Sequence, residues 1–164
     1  QLRLLCCRGR WRSLGEVRLT AGFHDREQIV VADLIHALTE AAALDAAARG
    51  RTLAVSPIED GWTVEGDQQV LSSIVFNLVQ NAFKFSPSHS TVMLRVGASA
   101  ERVLIEVEDE CGGLPGGDEV QELFRPFEQR SADRSGVGIG LAFCRWGAEA
   151  NNGGDMVRSV LHPA

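Results

Sequence analysis

No run of about 18 apolar residues, the length a membrane-spanning helix needs, occurs anywhere in the chain. The opening stretch Q-L-R-L-L-C-C-R-G-R-W-R has leucine and cysteine but too many arginines for the apolar core of a signal peptide. Four cysteines are scattered, Cys6 and Cys7 adjacent and Cys111 and Cys144 far off. They form no C-x-x-C pair and no Cys/His ligand spacing, which speaks against structural zinc. Nothing suggests a disulfide framework, so a reducing cytoplasm is the expected setting. A net charge of −6 argues against a surface that coats nucleic acid.

What is present fits one domain with an appendage: 164 residues, 45% of them hydrophobic, enough to bury a core. Residues 1–27 are rich in Arg and Gly, and Gly9, Gly15 and Gly22 interrupt any long helix. Val17–Leu19 fits a short strand or a last helical turn equally well. Gln28–Ala32 reads as a strand. Asp33 is the expected N-cap of a helix to about Arg49, with Leu34, Ile35, Leu38, Ala41, Ala42 and Leu44 on its apolar face and Gly50 as its stop. Thr52–Ser56 reads as a strand, and Trp62–Val64 as a segment with a pairing partner. Asp67 is the expected N-cap of a second helix that Pro87 closes. Thr91–Val96 and Arg102–Glu108 both alternate apolar and polar residues, as half-buried hairpin strands do, with the turn at Gly97–Glu101. After a long Gly-rich stretch from Cys111 to Gly140, a helix is expected from about Ile139 to Ala150 and a strand at Met156–Val160. This order of elements suggests a layered α/β sandwich rather than a doubly wound parallel sheet.

The second helix carries the most information. Asn77, Asn81 and Lys84 stand at i, i+4 and i+7. At about 100° per residue they fall within roughly 60° of one another, beside an apolar stripe of Ile74, Leu78, Ala82 and Phe85. An amide oxygen can ligate a hard cation and an ammonium can meet phosphate oxygens, so the row suits a Mg²⁺-bound phosphate group. Gly136, Gly138 and Gly140 then lead into a helix whose free N–H groups and positive dipole end make an anion site. Leu141 excludes a dinucleotide G-x-G-x-x-G, and no G-K-[ST] follows, which excludes a P-loop.

Four segments in order, N-L-V-Q-N-A-F-K-F-S, V-E-D-E-C-G-G-L-P, L-F-R-P-F-E-Q-R and G-V-G-I-G-L, resemble the N, G1, F and G2 boxes of the ATP-binding catalytic domain of bacterial sensor histidine kinases. That domain belongs to the superfamily shared with DNA gyrase and heat-shock chaperone ATPases. The resemblance covers about residues 28–160. It implies a Bergerat-type ATPase fold: a mixed, mostly antiparallel sheet with helices on one face and a mobile ATP lid. By the same resemblance residues 1–27 would be a linker or a remnant of the dimerisation helices. Residues 28–164 would be the catalytic domain, possibly short of its last strand, which would leave a sheet edge open to pairing.

Carried over position by position, Asn81 matches the magnesium ligand. Asn77 matches a position that is Glu in gyrase-like ATPases. An Asn takes up no proton and cannot activate water, which favours phosphotransfer to a side chain over hydrolysis. Lys84 matches a phosphate contact. Asp109 matches the adenine-reading carboxylate, which accepts from an exocyclic amine but not from a guanine oxygen. Gly113 matches the second glycine of its box; the first is Cys111 here, which costs on the order of 1 kcal/mol if φ is positive there. Phe124 and Phe127 would anchor the lid. Of the loop arginines Arg125, Arg130 and Arg134, Arg130 is the first candidate to reach phosphates. Gly136, Gly138, Gly140 and Leu141 would line the phosphates. His24, His36, His89 and His162 lack the His-Glu/Asp-x-x-x-Pro context of a phosphoacceptor. The implied cofactors are ATP and Mg²⁺. The implied partners are a histidine-bearing dimerisation domain and, indirectly, a response regulator, with neither nucleic acid nor membrane contacted by this fragment. The rival readings are a protein-serine kinase of the anti-sigma-factor type and a non-catalytic nucleotide-binding module.

Overall fold

The computed structural model describes residues 26–99, 102–111, 124–126 and 138–151, together with the backbone of 2–6. In chain order the elements are β1 (Leu2–Cys6), β2 (Glu27–Val30), α1 (Val31–Ala48), β3 (Thr52–Val55), β4 (Thr63–Gly66), α2 (Gln68–Phe85), β5 (Thr91–Ser99), β6 (Arg102–Glu108) and α3 (Gly140–Ala150). A four-stranded sheet runs β1-β6-β5-β3, and β2 and β4 form a separate two-stranded sheet. The β5–β6 and β2–β4 pairs are antiparallel, whereas β1–β6 and β3–β5 are parallel. The four-stranded sheet is mixed as expected, but two of its described pairings are parallel and one is antiparallel, and only with the separate β2–β4 pair do the two senses balance.

Alternation in the hairpin works as its pattern implies. Val92, Leu94 and Val96 of β5 and Val103, Ile105 and Val107 of β6 are buried. They meet Leu71, Ile74, Val75, Leu78, Val79, Ala82 and Phe83 of α2 in one apolar core. Helix α2 is the central helix, packed between α1 and α3 over β5 and β6. On the outer face an Arg95–Glu108 ion pair at 3.0 Å spans the two strands. Strand β5 runs on to Ser99, so Gly97 sits in the ladder opposite Leu104 rather than in the turn.

Several boundaries move for identifiable reasons. Helix α1 starts at Val31, before Asp33 can cap it, and Val30 supplies no side-chain cap. The Val31 N–H donates instead to the Trp62 carbonyl at 3.0 Å, so the β2–β4 ladder hands the chain to the helix. Its buried stripe is Val31, Leu34, Ile35, Leu38, Ala42 and Ala46. Leu44, two residues past Ala42 and about 200° around the helix, is 83% exposed. The helix stops where expected, with Gly50 at φ 62°. On α2 the apolar stripe ends at Ala82 and Phe83, while Phe85 is 48% exposed. Asp67 caps α2 as expected, its carboxylate accepting the Val70 N–H at 3.0 Å. At the other end Arg51 donates from Nε and Nη2 to the Ser86 carbonyl, which the helix leaves without an internal donor.

Leu2–Cys6 falls in the stretch expected to be a linker or helical remnant. It forms a strand instead, pairing Leu2 with Val103 and Cys6 with Val107 on the outer side of β6. Val17–Leu19, the lid apart from Phe124–Pro126, and the strand expected at Met156–Val160 lie outside the described residues.

Candidate functional site

Helices α2 and α3 lie antiparallel, and one series of contacts along α3 shows it. A Cβ placed on Gly140 would meet Asn77 Oδ1 at 3.4 Å and Asn81 Nδ2 at 3.9 Å. Further along, Cys144 Sγ donates to the Ile74 carbonyl at 3.5 Å. A Cβ on Gly147 would lie 2.7 Å from Ile74 Cδ1 and 2.9 Å from Val70 Cγ1. At the end, Asn151 Oδ1 accepts the Asp67 N–H at 3.0 Å. The N-terminus of α3 is thereby brought against the two carboxamides halfway along α2.

That arrangement has a chemical sense. Ile139, which precedes α3, has no side-chain oxygen with which to cap it. The first N–H groups of α3 and its positive dipole end therefore face the amides of Asn77 and Asn81. Gly138 reaches this turn with φ 71°, a left-handed conformation that glycine adopts without the Cβ penalty. Asn77, Asn81 and Lys84 are all half-buried, as a ligand-facing row beside a buried stripe should be. The Lys84 ammonium lies 5.6 Å from the Phe85 ring centroid. A helix end without a side-chain cap, a glycine that leaves space beside an amide, two carboxamides and an ammonium make a donor set suited to a triphosphate with Mg²⁺.

Asp109 directly follows β6 and is half-buried. Its Oδ1 accepts the Cys111 N–H at 3.2 Å, which folds the start of the following loop back over the carboxylate. Cys111 is not among the described residues with positive φ, of which His89 at 65° is the one non-glycine. The replacement of glycine by Cys111 therefore carries no left-handed strain. Phe124 packs on the core and Leu141 does likewise, while Arg125 is exposed. Gly113, Phe127, Arg130, Arg134 and Gly136, and with them His24 and His162, lie outside the described residues; His36 and His89 are exposed.

Three residues were not singled out from the sequence. Burial pushes the Cys144 thiol up to about 12, because a thiolate there would lose its hydration. Gly147 permits the close approach of α3 to α2. Asn151 is 5% exposed and engaged at both ends of its carboxamide, since its Nδ2 also donates to the Gly147 carbonyl at 2.8 Å. A glycine inside an otherwise good helix, three residues after a cysteine, was the available signal for the first two.

Comparison with known proteins identifies the family. The family model described as histidine kinase-, DNA gyrase B-, and HSP90-like ATPase matches residues 66–160, more than half of the chain. Sensor protein KdpD of Clostridium acetobutylicum is 34% identical over 109 residues, which are 64% of this chain and 12% of that protein. The chain thus spans a small part of that curated relative. The nucleotide-free catalytic domain of histidine kinase ThkA superposes with a TM-score of 0.67 at 20% identity, covering 77% of this chain and 81% of the other. Full-length ShkA in complex with AMPPNP gives 0.64 at 24% identity, over 85% of this chain and 30% of that one.

Proposed function

Because the chain belongs to the family of histidine kinase-, DNA gyrase B-, and HSP90-like ATPases, we propose that it holds Mg²⁺·ATP between α2 and α3 and presents the γ-phosphate to a histidine on a separate dimerisation domain. The observation that carries this reading is the approach of Gly140 to Asn77 and Asn81. Asn81 would supply the one protein oxygen that a Mg²⁺ with several waters and phosphates needs. Bound Mg²⁺ would neutralise charge on the phosphates. Lys84 would meet phosphate oxygens from the same helix face, and the first N–H groups of α3, at Gly140 and Leu141, would donate to them. Gly113, Gly136 and Arg130 are proposed to extend this cradle. Asp109 would accept the exocyclic amine of adenine.

The Asn77 carboxamide takes up no proton at neutral pH, so the site lacks a base for water at this position. Positioning and charge neutralisation then carry the transfer, and the acceptor must come from another domain. The names of the relatives support a histidine acceptor, with a response regulator downstream. No helix among the described residues is long and apolar enough to cross a membrane. We place the domain in the cytoplasm, where ATP is available.

The test is titration of the chain with AMPPNP with and without Mg²⁺, using Asn81→Ala as the control. The wild type should bind more tightly with Mg²⁺ and the variant should lose that gain. Equal binding by both would remove Asn81 from the site. Mixed with a histidine-bearing helical domain and ATP, the chain should yield an acid-labile phosphoryl product; an acid-stable one would point to a serine acceptor.

A further inference from the structure

We propose that Asn151 is a positioning residue for the phosphate end of the site, acting through the axial register of α3; the proposal rests on the nucleotide reading above. The buried residues of α3 are the small Ala142, Cys144, Gly147 and Ala148, with Leu141 and Phe143 partly buried against the core beside them. Small side chains allow close approach but offer shallow ridges, so apart from the Gly147 notch that receives Ile74 and Val70 they resist sliding along the axis weakly. A slip of one residue would shift α3 by about 1.5 Å. That is enough to carry Gly140 past Asn77 or into it, given the 3.4 Å between its Cβ position and Oδ1.

Directional bonds at the far end of α3 prevent the slip. Asn151 accepts from the Asp67 N–H at 3.0 Å and donates to the Gly147 carbonyl at 2.8 Å, so one buried carboxamide ties the two helices together. Asp67 is itself the N-cap of α2. The tie is therefore made to the residue that fixes where α2 begins. Gly66 leaves the room, because a Cβ there would stand 2.7 Å from Asn151 Oδ1. A buried polar residue that selects one register among near-equivalent apolar ones is a known use of asparagine between helices. Here it sets the spacing between the N–H groups of α3 and the amides of α2.

Asn151→Leu keeps the branched shape and removes both bonds; Gly66→Ala displaces the same carboxamide by crowding its Oδ1. Titrations of the full chain with Mg²⁺·AMPPNP and with adenosine separate a local effect from loss of fold, since the fraction able to bind is read from the stoichiometry. Both variants should bind AMPPNP about tenfold more weakly with adenosine affinity unchanged. The carboxamide NMR signals of Asn77 and Asn81 and the Gly140 amide signal should shift in both variants without ligand. Affinities for the two ligands that fall together, or that stay at the wild-type values, would overturn the proposal. So would signals that stay in place. A wild type that binds neither ligand would sink the nucleotide reading, while the carboxamide signals would still decide the role of Asn151.

Discussion

The Asn77 carboxamide oxygen stands 3.4 Å from the point where a Cβ on Gly140 would lie. That distance is ordinary van der Waals contact, so Gly140→Ala fits the fold while filling the space between α3 and the amide pair. Stability should stay constant or rise by up to about 1 kcal/mol, the gain from alanine over glycine in a helix. Affinity for Mg²⁺·AMPPNP should nevertheless fall about tenfold. A thermal melt and a titration of the same sample check both halves, and a variant that binds like the wild type would count against the site.

Gly147→Ala should behave in the opposite way. Its Cβ would meet Ile74 Cδ1 at 2.7 Å and Val70 Cγ1 at 2.9 Å, both in the closed interface of α2 and α3. Forcing a methyl group into such packing costs about 1–3 kcal/mol. Denaturant unfolding should show that loss, with an unchanged slope if the folded state stays compact.

Asp67→Ala removes the carboxylate that accepts the Val70 N–H. Loss of an N-cap of this kind costs about 1 kcal/mol. Since the Asp67 backbone also meets Asn151, combining Asp67→Ala with Asn151→Leu should be non-additive, because contacting residues couple. A double-mutant cycle in urea measures the difference.

Alkaline pH should weaken the fold through Cys144. Its folded-state value of about 12 lies above the ordinary 9.0. A raised value means that the neutral thiol is the stabilised form. Its contribution is whole below the unfolded-chain value and is lost as pH rises through the folded one. The stability difference between wild type and Cys144→Ala should shrink from pH 9 towards pH 12. Thiol labelling at neutral pH in a Cys6→Ser, Cys7→Ser background should modify half-exposed Cys111 before Cys144.

Much of this was legible in the sequence, for reasons specific to each element. The alternation in β5 and β6 and the Asp67 cap are local patterns, and local patterns survive folding. The row Asn77, Asn81 and Lys84 could be read because helical spacing alone fixes its geometry. What it meets could not be read, since the approach of Gly140 depends on how two distant helices cross. Leu44 and Phe85 misled because a hydrophobic residue near an apolar stripe is indistinguishable, by type, from one in it. The start of α1 was missed because its cap is a backbone bond to Trp62, which leaves no trace in side-chain identity. Asn151 was missed for a similar reason: a buried carboxamide with two partners looks, in sequence, like any polar residue at a helix end.

The pairing of Leu2 with Val103 has a bearing on how the chain is made. During synthesis β1 leaves the ribosome before its neighbour β6, which follows about a hundred residues later, so the contact is strongly non-local. The β5–β6 hairpin closes over a few residues and provides the edge that β1 then joins. Assembly therefore runs against the direction of translation at this edge, and β1 waits for the strand it pairs with.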